Sequence, residues 1–348
     1  MADTVKVLGD GLAACCAAHL LLRRGFPVAL QSADRARPSR LLISRQTQHL
    51  LSEFFEAPDL FTHAPQIRRR IVLWGEGSLP VELPHHGAVV SEQQLLNNLW
   101  KRTVPAGTVI HAGETDTAAW TILSAADPAA LSAPLQFGSR VALAGSVVLE
   151  RNVPQDCCWV ESVPEGWLFL LPSGDGLGML IRTGYAPEKL LDQSQLIAKQ
   201  IRQLDPSPQP ARSFAAFPQI LPDLCGPGWL ACGAAAMAFD PLCGEGAGHA
   251  AREALLASAI IRAAVESLPV DALLAHYRAR LMQGFLRHLE VCRSFYTGGG
   301  SGPFWTAEAA ELQRGILLMQ ERLREIAAPS RFRLVGDELE LLTERIAG

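Results

Sequence analysis

Residues 5–31 read VKVLGDGLAACCAAHLLLRRGFPVALQ, and this stretch decides the fold. Val5 to Leu8 is a short apolar run, the pattern of a buried strand. Gly9-Asp10-Gly11 is a turn. Residues 12–24 are rich in Ala and Leu and predict a helix, stopped by Gly25. Residues 27–31 predict a second strand. The whole is a β-α-β unit of about thirty residues, the building block of a parallel sheet. Within it lies Gly9-x-Gly11-x-x-Ala14, with Ala18 four residues on. The first glycine permits a tight turn, the second lets a pyrophosphate approach the backbone, and the small third residue lets the helix pack on the sheet. The helix N-terminus then faces the phosphates.

Outward from this unit, residues 32–45 are polar and arginine-rich. Helices are expected over 47–55 and 91–100, where Leu95, Leu96 and Leu99 fall on one face. Strands are expected over 68–73, 79–83, 108–111 and 120–123. The pattern then changes. Runs at 140–151, 157–163, 167–172 and 179–183 are apolar or alternating and are punctuated by Pro and Gly, which predicts an antiparallel sheet. A helix is expected over 193–204, ended by Asp205-Pro206-Ser207-Pro208. A strand at 229–232 leads through a Gly-rich loop into helices over 246–267, 271–293 and 307–326. The last two flank a flexible Gly298-Gly299-Gly300-Ser301-Gly302 linker. No internal repeat is found.

With 348 residues, 49% hydrophobic and 19% charged, the chain has the material for a large core, in two domains or one large one. A net charge of −4 without a Lys-rich patch gives no field to hold nucleic acid. Charge or Pro breaks every apolar run before the roughly 18 residues of a membrane span. The chain enters a strand pattern at once, so no signal peptide and a cytoplasmic location are expected. The eight cysteines include two adjacent pairs and no CxxC or other metal-ligand spacing. They are expected to be reduced and mostly buried, with no metal site.

The second informative stretch is residues 229–250, WLACGAAAMAFDPLCGEGAGHA. A strand runs into Gly233, small residues follow, and Asp240-Pro241-Leu242-x-Gly244-Glu245-Gly246 opens a helix. Exposed N–H groups at such a helix start suit an electron-rich ring edge, and the glycines permit close contact with a flat ring. Paired with the first turn, this segment resembles the flavoprotein monooxygenases of the para-hydroxybenzoate hydroxylase superfamily, on its tryptophan-halogenase and geranylgeranyl-reductase side. Gly233, Ala235, Ala236, Asp240, Pro241, Leu242, Gly244 and Gly246 match the family's second FAD segment. The helix with Ser91, Leu95 and Leu99 resembles the one before the family's middle strand. Trp167 to Pro172 is similar to the halogenase W-x-W-x-I-P segment, with Phe169 for the second Trp, and Pro303-Phe304-Trp305 is similar to that branch too.

The resemblance implies an α/β fold: a Rossmann-like FAD-binding domain with an inserted antiparallel substrate domain and C-terminal helices. The expected division is 1–135 for the first part of the FAD domain (with some substrate-domain strands at 65–90), 136–220 for the substrate sheet, 221–268 for the second part of the FAD domain, and 269–348 for the helical region. It implies FAD bound through Gly9, Gly11, Ala14, Ser32, Gly233, Asp240, Pro241, Gly244 and Gly246. Arg40 or Arg45 lies beside the pyrophosphate or the ring, or else both belong to a solvated face.

Four positions depart from the family. Ser32 stands where an acid holds the adenosine ribose, Ala234 where an acid holds the ribityl chain, Glu92 where a basic residue opens the helix, and Ser124-Ala125-Ala126 where the family has A-T-G. These departures predict weakened FAD binding. His85 and His86, in an expected exposed turn, are candidates for acid-base work. Glu245 either touches substrate or caps its helix. His249 is expected to pack.

The implied activity is hydroxylation of an indole or phenol through a flavin C4a-hydroperoxide, with NAD(P)H or a separate flavin reductase as electron source. The substrate is an aromatic small molecule or a Trp side chain in a partner protein, as in tryptophylquinone maturation. Family halogenases need a lysine after the second strand, and none occurs between Lys6 and Lys101. The alternatives are a reductase of the geranylgeranyl-reductase type and a degenerate flavoprotein that acts as a binding or assembly partner.

Overall fold

The computed structural model describes residues 4–33, 39–103, 109–111, 118–125, 132–204, 211–326 and 332–342. The N-terminal unit folds as its pattern dictates. Val5–Leu8 is the centre of a six-stranded sheet in the order Cys225–Gly226, Trp229–Ala231, Trp120–Leu123, Val5–Leu8, Val28–Gln31, Val109–His111. All pairings are parallel except that of Cys225–Gly226 with Trp229–Ala231. Val7 pairs with Leu30 on one side and Ile122 on the other. Helix α1 (Leu12–Arg23) crosses over this sheet, and its residues 12–21 are all buried. A helix enclosed on every side is apolar all round rather than striped. Its small residues Ala13, Ala14, Cys15, Cys16, Ala17 and Ala18 let neighbouring helices approach closely.

Five further helices are described: α2 (Arg45–Phe54), α3 (Glu92–Thr103), α4 (Gly246–Val265), α5 (Val270–Gly299) and α6 (Pro303–Glu325). α1 packs against α3 and α4, and α5 against α6. None of the described helices is long and apolar enough to cross a membrane.

The middle of the chain forms a nine-stranded sheet. Its path is Ile201–Leu204, Val141–Leu149, Leu177–Gly184, Gly166–Gly174, Cys157–Val163, Gln66–Leu73, Val81–Val90, Leu41–Ser44, with Arg212–Ala215 also on Val141–Leu149. Its pairings are antiparallel except that of Cys157–Val163 with Gln66–Leu73. Its strands alternate faces, so Phe169, Leu171, Met179 and Ile181 can stand on one side while Leu168, Leu170 and Leu180 enter a separate core.

Three expectations are corrected. The helix over 193–204 does not form. Pro187–Gln193 and Ala198–Gln200 are short 3-10 turns, and Ile201–Leu204 is an edge strand. The cause is Glu161, whose buried carboxylate accepts the backbone N–H groups of Gln195 (2.6 Å), Leu196 (3.0 Å) and Ile197 (2.8 Å) and the Ser194 hydroxyl (2.6 Å). A distant carboxylate thus takes donors a helix would have used. Second, His85 and His86 lie within the strand Val81–Val90, not in a turn. Both oppose Arg68, a β-bulge that accommodates Pro84. Third, the glycine linker is not an open loop: α5 runs on to Gly299, and the Trp305 ring lies over Gly299 and Gly300, where a Cβ would meet it at 2.2 and 2.5 Å.

A cavity between two helix starts and a sheet face

A cavity of about 400 Å³ opens where the two large sheets meet. One side is formed by Gly11 to Ala13 at the start of α1, Gly233 and Ala234 after the strand Trp229–Ala231, and Pro241, Leu242 and Gly244 to Ala247 entering α4. The opposite side is the sheet face of Val160, Trp167, Phe169, Leu171, Met179 and Ile181. Neither helix start carries a side-chain cap, and neither has an acid in its first turn. Two sets of unsatisfied backbone N–H groups therefore point at one cavity, with the positive ends of two helix dipoles behind them.

The first turn is held from behind. Gly9 has φ +121°, and a Cβ there would lie 2.3 Å from the Ser124 hydroxyl, which itself donates to Leu8 O at 2.8 Å. Ala14 is wholly buried beneath this turn. Gly233 has φ +59° and lies so near α1 that a Cβ would meet that of Ala13 at 2.7 Å. Gly244 has φ +66°, and around both Gly244 and Gly246 the space a Cβ would fill is open.

The predicted residues divide. Arg40 lines the cavity, whereas Arg45 faces outward at the start of α2 with Gln48 and His49. Ser32 donates to Asp10 Oδ2 at 2.9 Å, so the carboxylate beside the second strand comes from the first turn rather than from position 32. Ala126 lies outside the described residues. Glu92 is buried and lines the cavity. His85 and His86 do not line it. Burial and the neighbouring Arg70 charge lower the His85 pKa to about 4. Glu245 lines the cavity and makes no capping bond to α4. Its Oε2 faces Arg252 at 3.8 Å instead. His249 packs as expected, stacked on Phe239 at 4.0 Å.

Asp240 holds the second turn from within the protein. Its Oδ1 accepts the Leu242 N–H at 2.8 Å. Its Oδ2 accepts from Arg140 Nε (3.0 Å), Arg140 Nη2 (2.5 Å) and the Tyr296 hydroxyl (2.9 Å). Tyr296 in turn accepts from Trp167 Nε1 at 2.9 Å. Arg140 completes its fork on Glu308, and its guanidinium lies 4.3 Å from the centre of the Tyr296 ring. The Trp167 side chain and the Pro241–Gly246 turn, on opposite sides of the cavity, are thus joined through one buried network. Sequence reading did not find Arg140 or Glu308, which lie 100 and 68 residues from Asp240 and belong to no local motif.

Glu253 was also missed, and it alters the meaning of Ala234. It lies on α4, its Oε2 accepts the Gly233 N–H at 2.7 Å, and its buried Oε1 has no partner. Burial raises its pKa from 4.5 to about 8, against the opposing effect of the Gly233 bond. The folded protein therefore keeps a proton that the unfolded chain releases, and the stability this group contributes is greatest below its ordinary pKa and falls as pH rises toward about 8. Glu253→Gln carries a neutral amide at every pH. Between about pH 5 and pH 8 the stability difference should swing toward the variant by on the order of 3 kcal/mol, at about 1.4 kcal/mol per pKa unit. Urea denaturation across that range checks it, and a difference that stays constant would count against a protonated Glu253.

No family model matches the chain, and no curated protein matches it in sequence. Solved structures do match. A peptidyl tryptophan dihydroxylase essential for tryptophylquinone cofactor biogenesis aligns with TM-score 0.74 and 22% identity, over 88% of this chain and 79% of its own. The myxobacterial chondrochloren halogenase, a variant of FAD-dependent halogenases, aligns with TM-score 0.77 and 15% identity, over 95% and 98%. A p-nitrophenol 4-monooxygenase from Pseudomonas putida aligns with TM-score 0.66 and 14% identity, over 93% and 97%. The chain has the fold of these flavin-dependent halogenases and monooxygenases, and the α/β architecture implied by the resemblance is borne out.

Proposed function

We propose that the protein is an FAD-dependent monooxygenase that hydroxylates an aromatic substrate. The observation that carries this reading is the cavity itself, with two uncapped helix starts on one side and an apolar sheet face on the other. The residues present fit FAD. Backbone donors at Gly11–Ala13 suit a pyrophosphate, and the open space at Gly244 and Gly246 lets a flat ring approach the start of α4. Glu253 Oε1 lacks a partner in the same crevice, so a ligand hydroxyl there would satisfy it and offset the loss of the acid at Ala234. Asp10, with Ser32, offers the carboxylate beside the second strand. In this reading residues 1–135 and 221–268 bind FAD, 136–220 contribute the substrate wall, and 269–348 buttress both.

FAD, once reduced, supplies the oxygen-activating chemistry. The protein's own part is to hold, orient and dry the site. Phe169, Leu171, Met179 and Ile181 exclude water and present an apolar surface to an aromatic ring. The Trp167–Tyr296–Asp240 chain fixes that wall relative to the cofactor turn. Glu245, free of any capping bond and half-buried at the cavity, is the side chain placed to contact the substrate. We assign the substrate to indoles or phenols. A Trp side chain in a partner protein is the preferred member, because the peptidyl tryptophan dihydroxylase shares this fold at 22% identity. Electrons come from NAD(P)H or from a separate flavin reductase.

The test begins with FAD titration followed by absorbance and fluorescence. A perturbed flavin spectrum is expected, and a protein that ignores added FAD would instead support a binding or assembly role. The loaded protein is then given reduced flavin, O2, bromide or chloride, and indoles or a Trp-containing peptide. Products should gain oxygen mass only, since no lysine lies between Lys6 and Lys101 to relay a halogen, and arginine stays protonated and is a poor nucleophile. A halogenated product that needs the protein would overturn this. A reduced double bond without O2 uptake would favour the reductase reading.

A further inference from the structure

Seven of the eight cysteines are buried, and Cys243 is the exception, partly exposed on the Pro241–Cys243 turn. Its Sγ lies 3.4 Å from Cys292 Sγ on α5, and Cys292 Sγ lies 3.3 Å from His288 Nε2 one turn earlier. The three donors lie within 4.8 Å of one another. The placement of protons decides what they can do. His288 Nε2 accepts the Asp240 backbone N–H at 2.9 Å, so its ring proton sits on Nδ1 and its Nε2 lone pair is occupied. A metal ion would need that lone pair, and taking it would orphan a buried amide of the cavity turn, so the trio is poorly suited to a metal.

Cys292 is left with one proton and one nearby acceptor, the Cys243 sulfur. That hydrogen bond is the largest influence on Cys243 and lowers its pKa, although burial opposes it. Burial pushes the Cys292 thiol up. A partly exposed thiol whose pKa is lowered therefore stands 3.4 Å from a buried thiol whose pKa is raised, the relation of an attacking cysteine to a resolving one.

The geometry points to Cys243 and Cys292 as a peroxide-sensitive dithiol that closes to a reversible disulfide beside the cavity. The Cys243 thiolate attacks one oxygen of hydrogen peroxide, the O–O bond breaks, and hydroxide leaves and takes a proton to become water. Cys243 is then a sulfenic acid. The Cys292 sulfur attacks the Cys243 sulfur, the S–O bond breaks, and the oxygen departs with the Cys292 proton as a second water. Two thiols are oxidised to one disulfide and one peroxide is reduced to two waters. The bond would tie the cavity turn covalently to α5. None of this depends on the proposed activity, since the peroxide comes from solution.

The test uses the full chain, a small excess of hydrogen peroxide, alkylation of the remaining thiols, and mass spectrometry of the digest. The expected product is a peptide pair linked through Cys243 and Cys292, lighter by two hydrogens than the separate thiols and split again by dithiothreitol. Cys292→Ser should stop Cys243 at the sulfenic acid, trapped by dimedone. Cys243→Ser should leave Cys292 unreacted. The wild-type result stands alone if either variant fails to fold. Full alkylation of both cysteines after peroxide, a link from Cys243 to another cysteine, or stoichiometric zinc that blocks oxidation would each overturn the proposal.

Discussion

Replacing Arg140 by methionine is expected to cost about 3–5 kcal/mol of stability, the range for removing one partner of a buried ion pair. Arg140, Asp240 and Glu308 are all buried. Without the guanidinium, Glu308 keeps Ser139 and Asp240 keeps Tyr296 and Leu242, but two carboxylates lie in the interior with no counter-charge. Most of the loss is the price of those stranded charges rather than the net worth of the bridge. The combination Arg140→Met, Asp240→Asn, Glu308→Gln removes all three charges and should recover much of the loss. Urea denaturation of the single and triple variants distinguishes the two. If the single variant unfolds within about 0.5 kcal/mol of wild type, the ordinary range for an uncoupled surface change, the network is not what holds the turn.

The second large effect is expected at Gly11. Gly11→Val should lower FAD affinity by more than about 100-fold, equivalent to about 2.7 kcal/mol, while the protein stays folded. Gly11 precedes α1, has φ −78° and ψ −170°, which any residue can adopt, and lines the cavity. A branched side chain there would cover the first N–H groups of the helix and fill the space a pyrophosphate needs. Gly9 behaves differently. Its positive φ and its contact with Ser124 mean that even Gly9→Ala strains the turn between strand and helix, so loss of ligand there would only report lost structure. Calorimetric FAD titration of Gly11→Val, with circular dichroism and a denaturation curve to show the fold intact, makes the comparison. A folded Gly11→Val that binds FAD as wild type does would refute the placement of the phosphates.

Sequence alone determined the parts of this protein whose causes are local. The β-α-β start was legible because strand, turn, helix and strand follow within one short stretch, and each has its own composition. The Gly233–Gly246 segment was legible for the same reason: a tight turn and a helix start leave glycines and Pro241 at set spacings. The antiparallel middle showed as alternation between turns.

Tertiary structure decided whatever depends on residues far apart in the chain. Residues 193–204 carry a helical pattern, but four donors there are taken by Glu161, more than thirty residues away. Pro84 and Gly87 suggested a turn at His85 and His86, yet a bulge opposite Arg68 carries the strand through. Asp240 read as a ligand contact, and only the folded chain brings Arg140, Tyr296 and Glu308 around it. Ala234 read as a missing acid, and only the approach of α4 to Gly233 shows Glu253 beside the gap. Backbone preferences act between neighbours in sequence and leave a pattern there. A buried charge must find its partners wherever the fold brings them, so the pairing leaves no local trace.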